Sequence, residues 1–154
     1  MNNYERLLQQ AHEDGIEVMD YQFRSEAIKG LYCDNVIAIA DHLNTSAEKA
    51  CVLAEELGHH YTSSGVILDQ NITENRKQEK KARLWAYRKM VTMDKLISAF
   101  ENGCRNRYEV AEHMDVTEEF LQEALTRYKS VYGNIKQFGD YLVVFEPLRI
   151  GRLT

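Results

Sequence analysis

The chain has 154 residues, 44% of them apolar and 28% charged, which is ordinary for a soluble globular protein. Its net charge of −5 argues against nucleic acid or an anionic membrane as a general partner. Three widely spaced cysteines argue against a disulfide framework and favour the reducing cytoplasm. A secretion signal is not expected, because the first residues do not form a basic segment followed by an apolar one. A membrane span is not expected either, because no apolar run reaches about 18 residues.

The first segments predict a helix followed by a strand. Tyr4, Leu7, Leu8 and Ala11 have the spacing of an amphipathic helix, which would end near Gly15. The next stretch, "IEVMDYQF", alternates apolar and polar residues as a half-buried strand does.

The stretch "GLYCDNVIAIAD" predicts a β-hairpin. Its strands would be Leu31–Cys33 and Val36–Ala40, joined by a tight turn at Asp34 and Asn35, because both residue types tolerate a positive φ. The second strand is apolar on both faces, so we expect one face to lie under a helix.

The stretch "NTSAEKACVLAEELGHHYTS" predicts a long helix. Thr45 caps it, and Glu48 three residues later completes a capping box. Gly58 in the middle costs about 1 kcal/mol against alanine and indicates that another segment packs closely there. The predicted core stripe consists of Ala50, Ala54, Leu57 and Tyr61.

The second half of the chain predicts mainly helices. A loop, "VILDQNIT", precedes the helix "ENRKQEKKARLWAYRKMV", and "TMDKLISAFENG" predicts a shorter helix. The stretch "YEVAEHMDVTEEFLQEALTRYK" has the outline of a helix-turn-helix with Thr117 as the second cap. Glu118 and Glu119 at that cap would repel phosphate, which favours packing or protein binding over reading DNA.

The order of elements predicts an α+β fold that is mostly helical with a small antiparallel sheet. The stretch "YLVVFEPL" predicts a closing strand. We expect a core over residues 1–91 and a helical region over residues 92–154.

A candidate metal site lies in the long helix. Glu55 and His59 are four residues apart and share one helix face, as two ligands of one ion must, and Glu56 stands beside the first of them. The segment differs by one substitution from the zinc-peptidase signature His-Glu-x-x-His, in which the glutamate is the general base. A solvated charged helix can show the same spacing, so both interpretations stay open on these residues alone.

Two motifs in order resemble the ImmA/IrrE-type metallopeptidases, which phages and integrative elements often encode. The resemblance covers Leu31 to Val91 and includes members in which a glutamate replaces the first histidine. It implies a zincin-like metallopeptidase core. The helix "EKKARLWAYRKMV" resembles the one that supplies the third ligand, which maps to Glu79, and the first ligand maps to Glu55.

The resemblance also implies a chemistry. Zn²⁺, or Mn²⁺ or another divalent ion, would be held by Glu55, His59 and Glu79, and its bound water would attack a peptide bond with Glu56 as general base. His60 is aligned with Glu56 and would orient it or contact substrate, and "VIAIA", if it is the edge strand, would pair with an extended substrate. The implied target is a helix-turn-helix repressor of the same mobile element.

Two other hypotheses stay open on the sequence. One is a catalytically weak or inactive peptidase-fold protein that binds a regulatory protein, which the glutamate at position 55 would allow. The other is a DNA-binding regulator built on the C-terminal helix pair, against which the acidic second cap and the net charge argue. The oligomeric state does not follow from the sequence.

Overall fold

The computed structural model describes residues 1–63 and 72–154, and the side chains of residues 72–74 are left aside. Most of the predicted loop "VILDQNIT" therefore lies outside the described residues. The chain forms two compact units, Met1–Lys89 and Met90–Thr154. The first unit contains α1 (Asn3–Glu13), β1 (Glu17–Tyr21), β2 (Gly30–Cys33), β3 (Val36–Ala40), α2 (Ser46–Thr62) and α3, which runs over Ile72–Met90. The second contains α4 (Met93–Glu101), α5 (Arg107–Met114), α6 (Glu118–Tyr132), β4 (Ile135–Phe138), β5 (Tyr141–Val144) and β6 (Arg149–Arg152).

The sheet of the first unit has the order β1-β3-β2. β2 and β3 form the predicted hairpin, and Asp34 and Asn35 take the left-handed conformation with φ of 47° and 64°. β1 pairs parallel to β3, so this sheet is mixed, with the predicted antiparallel hairpin as one part of it. The "VIAIA" strand is central, with β1 and β2 on its two sides, so the condition under which it would pair with a substrate is not met.

The core of the first unit lies between this sheet and the helices. Ile37 and Ile39 of β3 are fully buried, as the apolar pattern on both faces of the strand predicted. Leu53 and Leu57 of α2 are also fully buried, and α2 packs on β2, β3 and α1. The apolar side of α2 is thereby fixed against the sheet, which leaves its other side for polar groups.

Gly58 marks a close approach between α2 and α3. A Cβ atom added there would lie 2.2 Å from the carbonyl oxygen of Ala82, so the helices meet at backbone level as the glycine predicted. Tyr61 was expected in the core, and that expectation was wrong because 37% of the residue is exposed. Its ring stacks on Trp85 at 5.0 Å, and its hydroxyl donates to Asp14.

The second unit contains the helical pair α5–α6 and a sheet of order β4-β5-β6, antiparallel throughout. Asp115 ends α5 in the left-handed conformation. The hydroxyl of Thr117 accepts a hydrogen bond from the Phe120 amide, as expected for the second cap. Only β5 was predicted; β4 and β6 are largely exposed and too polar to show an apolar face. The chain is mainly helical with two small sheets, which confirms the α+β class. No helix in the described part is long and apolar enough to cross a membrane.

Candidate functional site

The site is built on α2, whose register is fixed at its N-terminus. The Thr45 hydroxyl accepts a hydrogen bond from the Glu48 amide at 3.1 Å and donates one to the Glu48 carboxylate at 3.2 Å. Because the apolar side of the helix lies on the sheet, the polar side chains of its C-terminal half emerge together. They are half-buried, neither in the core nor free in solvent: Glu55, Glu56, His59 and His60.

The structure brings together two of the predicted ligands, from different helices. His59 Nε2 lies 3.0 Å from Glu79 Oε1, a hydrogen-bonding distance, with 21% and 50% of the two side chains exposed. Arg83 lies one turn further along α3, with its Nε 3.8 Å from the other oxygen of Glu79. The backbone contact at Gly58 explains the short distance, since it draws α3 against α2 one residue before His59.

Glu56 is the carboxylate with the most perturbed acidity in the site. Burial, followed by the negative charges of Glu55 and Glu79, raises its pKa from 4.5 to about 7. The strand β2 supplies part of this burial, because Gly30 lies so close that an added Cβ would be 3.1 Å from Glu56 Cγ and 2.7 Å from a methyl of Val52. Near pH 7 such a carboxylate can both accept and release a proton.

His60 has a partner that the sequence did not single out. The hydroxyl of Tyr32 on β2 lies 2.8 Å from His60 Nδ1, and the two rings meet edge to face at 5.5 Å. His60 and Glu56 are one turn apart on α2, and both face β2, one at Tyr32 and the other at Gly30. The signal that could have found Tyr32 is the alternation in "GLYC", which places Gly30 and Tyr32 on the same side of the strand.

The third predicted ligand, Glu55, lies one turn before His59 on α2 and acts electrostatically on Glu56. In the part of the chain that the structure describes, no three histidine, cysteine, aspartate or glutamate side chains are gathered as closely as a bound metal ion requires. Cys51, one turn before Glu55 on α2, is buried.

The sequence matches the family model of the IrrE N-terminal-like domain, peptidase family M78, over residues 11–126, roughly three quarters of the chain. The chain belongs to this family. The match begins in α1 and ends in α6, so it extends over both compact units. No curated protein and no solved structure was found to match the chain.

Membership in peptidase family M78 gives the chain a metallopeptidase type of function and implies a divalent metal ion. The residues present fit such an ion at His59 and Glu79. Two donors bound to one tetrahedral zinc ion lie about 3.3 Å apart, and these two lie 3.0 Å apart, so a small opening of the pair would admit it. After burial, the charges of Glu55 and Glu79 raise the pKa of Glu56, and a cation bound there would offset these charges.

Proposed function

We propose that the chain is a metal-dependent endopeptidase of the cytoplasm, with Glu56 as its general base. The observation that carries the proposal is the 3.0 Å contact between His59 on α2 and Glu79 on α3, which unites donors from two helices beside a buried glutamate. Membership in a peptidase family supports the reaction class.

In this proposal Glu55, His59 and Glu79 hold the divalent ion, Zn²⁺ or Mn²⁺. When bound, the ion would polarise the peptide carbonyl and make a nearby water more acidic. Glu56 would accept a proton from the attacking water and pass it to the leaving amine, as its pKa of about 7 in the metal-free protein permits. His60, held by Tyr32, would donate a hydrogen bond to the substrate from its second ring nitrogen.

The substrate would bind along β2. This strand is an edge of the sheet and contacts the site helix at Gly30 and Tyr32. An extended peptide can add to such an edge through main-chain hydrogen bonds. The strand β3, which the sequence suggested for this role, is covered on both sides and cannot accept another strand.

The physiological target that we propose is a helix-turn-helix repressor encoded by the same mobile element, whose cleavage would derepress that element. The resemblance to ImmA/IrrE-type peptidases supports this target. The direct test is to incubate the purified protein with such a repressor and to map any new termini by mass spectrometry.

Three variants test the mechanism. Glu56→Gln should abolish cleavage with metal retained, because it removes the base and no ligand. Glu79→Ala should abolish both cleavage and stoichiometric metal, measured by elemental analysis. Glu119→Gln, on the exposed start of α6, is the matched control and should change neither. Cleavage by Glu56→Gln at the wild-type rate, or metal that remains in Glu79→Ala, would contradict the assignment.

A second candidate is a peptidase-fold protein that binds a regulatory partner without cleaving it. The observation that favours it is the absence, among the described residues, of a ready group of three metal donors. Under this alternative, purified wild type and Glu56→Gln bind the repressor equally and neither produces new termini.

A further inference from the structure

The charge of the molecule is distributed unevenly, and α3 holds a large share of its positive charge. The chain has a net charge of −5, yet seven of its 19 lysines and arginines lie between positions 76 and 89, where Glu79 is the only acidic residue. All seven are exposed. They are Arg76, Lys77, Lys80, Lys81, Arg83, Arg88 and Lys89. At about 100° per residue these seven are spread around much of the helix, so we give the name basic face of α3 only to Arg76, Lys80 and Arg83, which lie close to Glu79.

The basic face borders the candidate site. Arg76, Lys80 and Arg83 lie three residues before, one after and four after Glu79, which places them on or beside the helix side that carries its carboxylate. Ala82, by contrast, is fully buried and lies against Gly58. Any chain bound at His59 and Glu79 would therefore pass within about one helical turn of these cations.

The carboxylates that the structure describes compensate little of the charge of the basic face. Among the side chains that the structure describes, Arg83 alone of the seven is in ion-pair contact with a carboxylate, and that contact with Glu79 is 3.8 Å long. Exposed cations in such number repel one another and attract anions over about a Debye length. A partner that brings negative charge would relieve this repulsion.

We propose that the basic face of α3 binds acidic residues of a protein substrate, so that the chain acts on segments with carboxylates close to the scissile bond. This inference rests on the proposed function and adds the substrate class to it. The occupant is a peptide because the same side of α3 carries Glu79, next to Glu56 and Glu55. Duplex DNA, with one charge per about 1.7 Å of its axis, would press phosphates against these carboxylates, whereas a peptide can place neutral backbone there.

The test measures binding apart from hydrolysis. Two fluorescein-labelled peptides share a neutral core; one has pairs of glutamates on both sides of the core, and the other has glutamines instead. Fluorescence anisotropy with full-length Glu56→Gln protein, which does not consume the peptide, should show binding of the glutamate peptide about tenfold tighter at low salt. The advantage should shrink as salt is added.

Two double variants locate the effect. Arg76→Glu with Lys80→Glu should remove the preference, while Lys136→Glu with Arg152→Glu, equally exposed and on β4 and β6, should keep it at the same net charge. Circular dichroism checks that each variant is folded. Equal loss in both double variants, equal binding of the two peptides, or tighter binding of an oligothymidylate of the same charge would overturn the proposal.

Failure of this proposal is distinguishable from failure of the proposed function. If the glutamate preference maps to α3 while the wild-type protein cleaves neither peptide nor repressor, hydrolysis is refuted and the basic face stands as a docking surface. If the wild-type protein cleaves the glutamine peptide as well as the glutamate peptide, the enzyme stands and the basic face does not select substrates.

Discussion

Two helix pairs in the molecule differ in where their charged residues lie relative to the contact between the helices. In α5–α6, Val110 and Leu121 are fully buried, and the charged pair Arg107 and Glu118 lies at the surface, 3.2 Å apart and nearly half exposed. In α2–α3 the helices meet at the backbone of Gly58, and half-buried acidic groups are crowded beside the contact.

The difference fits the proposal that α5–α6 is a packing contact and that α2–α3 holds a functional site. Charges at the surface of α5–α6 contribute little either way, since exposed ion pairs are screened by water. Burial, followed by the charges of Glu55 and Glu79, makes the ionised form of Glu56 unfavourable, which is visible in its raised pKa. A carboxylate with a strongly perturbed pKa among like charges supports the proposed site.

The largest effect is expected at the α2–α3 contact itself. Gly58→Ala should destabilise the protein by about 3 kcal/mol, because the new methyl would overlap the carbonyl of Ala82 and the helices would have to separate. On a solvated helix the same change would stabilise by about 1 kcal/mol, so the sign is informative. Urea denaturation measures it, with Gly151→Ala, which has open space around it, as the control. A stabilised Gly58→Ala would mean that the helices do not meet there.

The next effect concerns the buried carboxylate. The folded pKa of Glu56, about 7, lies above its ordinary value of 4.5, so between these values the unfolded chain releases a proton that the folded chain keeps, and stability falls as pH rises. Glutamine does not titrate. In the metal-free protein Glu56→Gln should therefore match the wild type at about pH 4 and be more stable by about 2 kcal/mol at about pH 8. Thermal denaturation at both pH values tests this, and an identical difference at the two would refute it.

A smaller effect is expected at the hydrogen bond between β2 and α2. Tyr32→Phe keeps the ring and removes the hydroxyl that bonds His60 Nδ1, which should cost about 1 kcal/mol. The ¹⁵N chemical shifts of His60 should change as its preferred tautomer is lost, and in an active enzyme kcat should fall more than KM rises. Tyr108→Phe, in the exposed start of α5, is the matched control. Unchanged His60 shifts would show that Tyr32 does not orient the ring.

The smallest effect is expected in α5–α6. A double-mutant cycle on Arg107 and Glu118, each changed to alanine, should give a coupling of about 0.5 kcal/mol, because both side chains are nearly half exposed. Salt should reduce it further. A coupling of several kcal/mol would show that this exposed pair contributes as a buried one does, and the contrast with α2–α3 would fail.

Much of the fold could be predicted because the signals are local. The turn at Asp34 and Asn35, the cap at Thr45 and the close approach at Gly58 each depend on one or two residues whose chemistry permits few conformations. The arrangement of strands depends on long-range pairing instead. Nothing in "IEVMDYQF" shows whether β1 runs parallel or antiparallel to β3.

The candidate site was predictable to a similar extent. The spacing of Glu55 and His59 follows from the helical period, while Glu79 was reached through resemblance to a family; it lies 3.0 Å from His59. Tyr32 was missed because its role depends on a tertiary contact with His60. Tyr61 was wrongly predicted to be buried because the helical period shows which side of the helix a residue faces, but not whether another segment covers that side. Neither residue belongs to a motif.

The contact at Gly58 has a practical meaning for protein design. A designer who moved the donors His59 and Glu79 into another two-helix scaffold would have to move the glycine as well, since any side chain in its place would push the donors apart. The distance between the two grafted donors would be set by contact with one backbone carbonyl, which repacking of side chains cannot move.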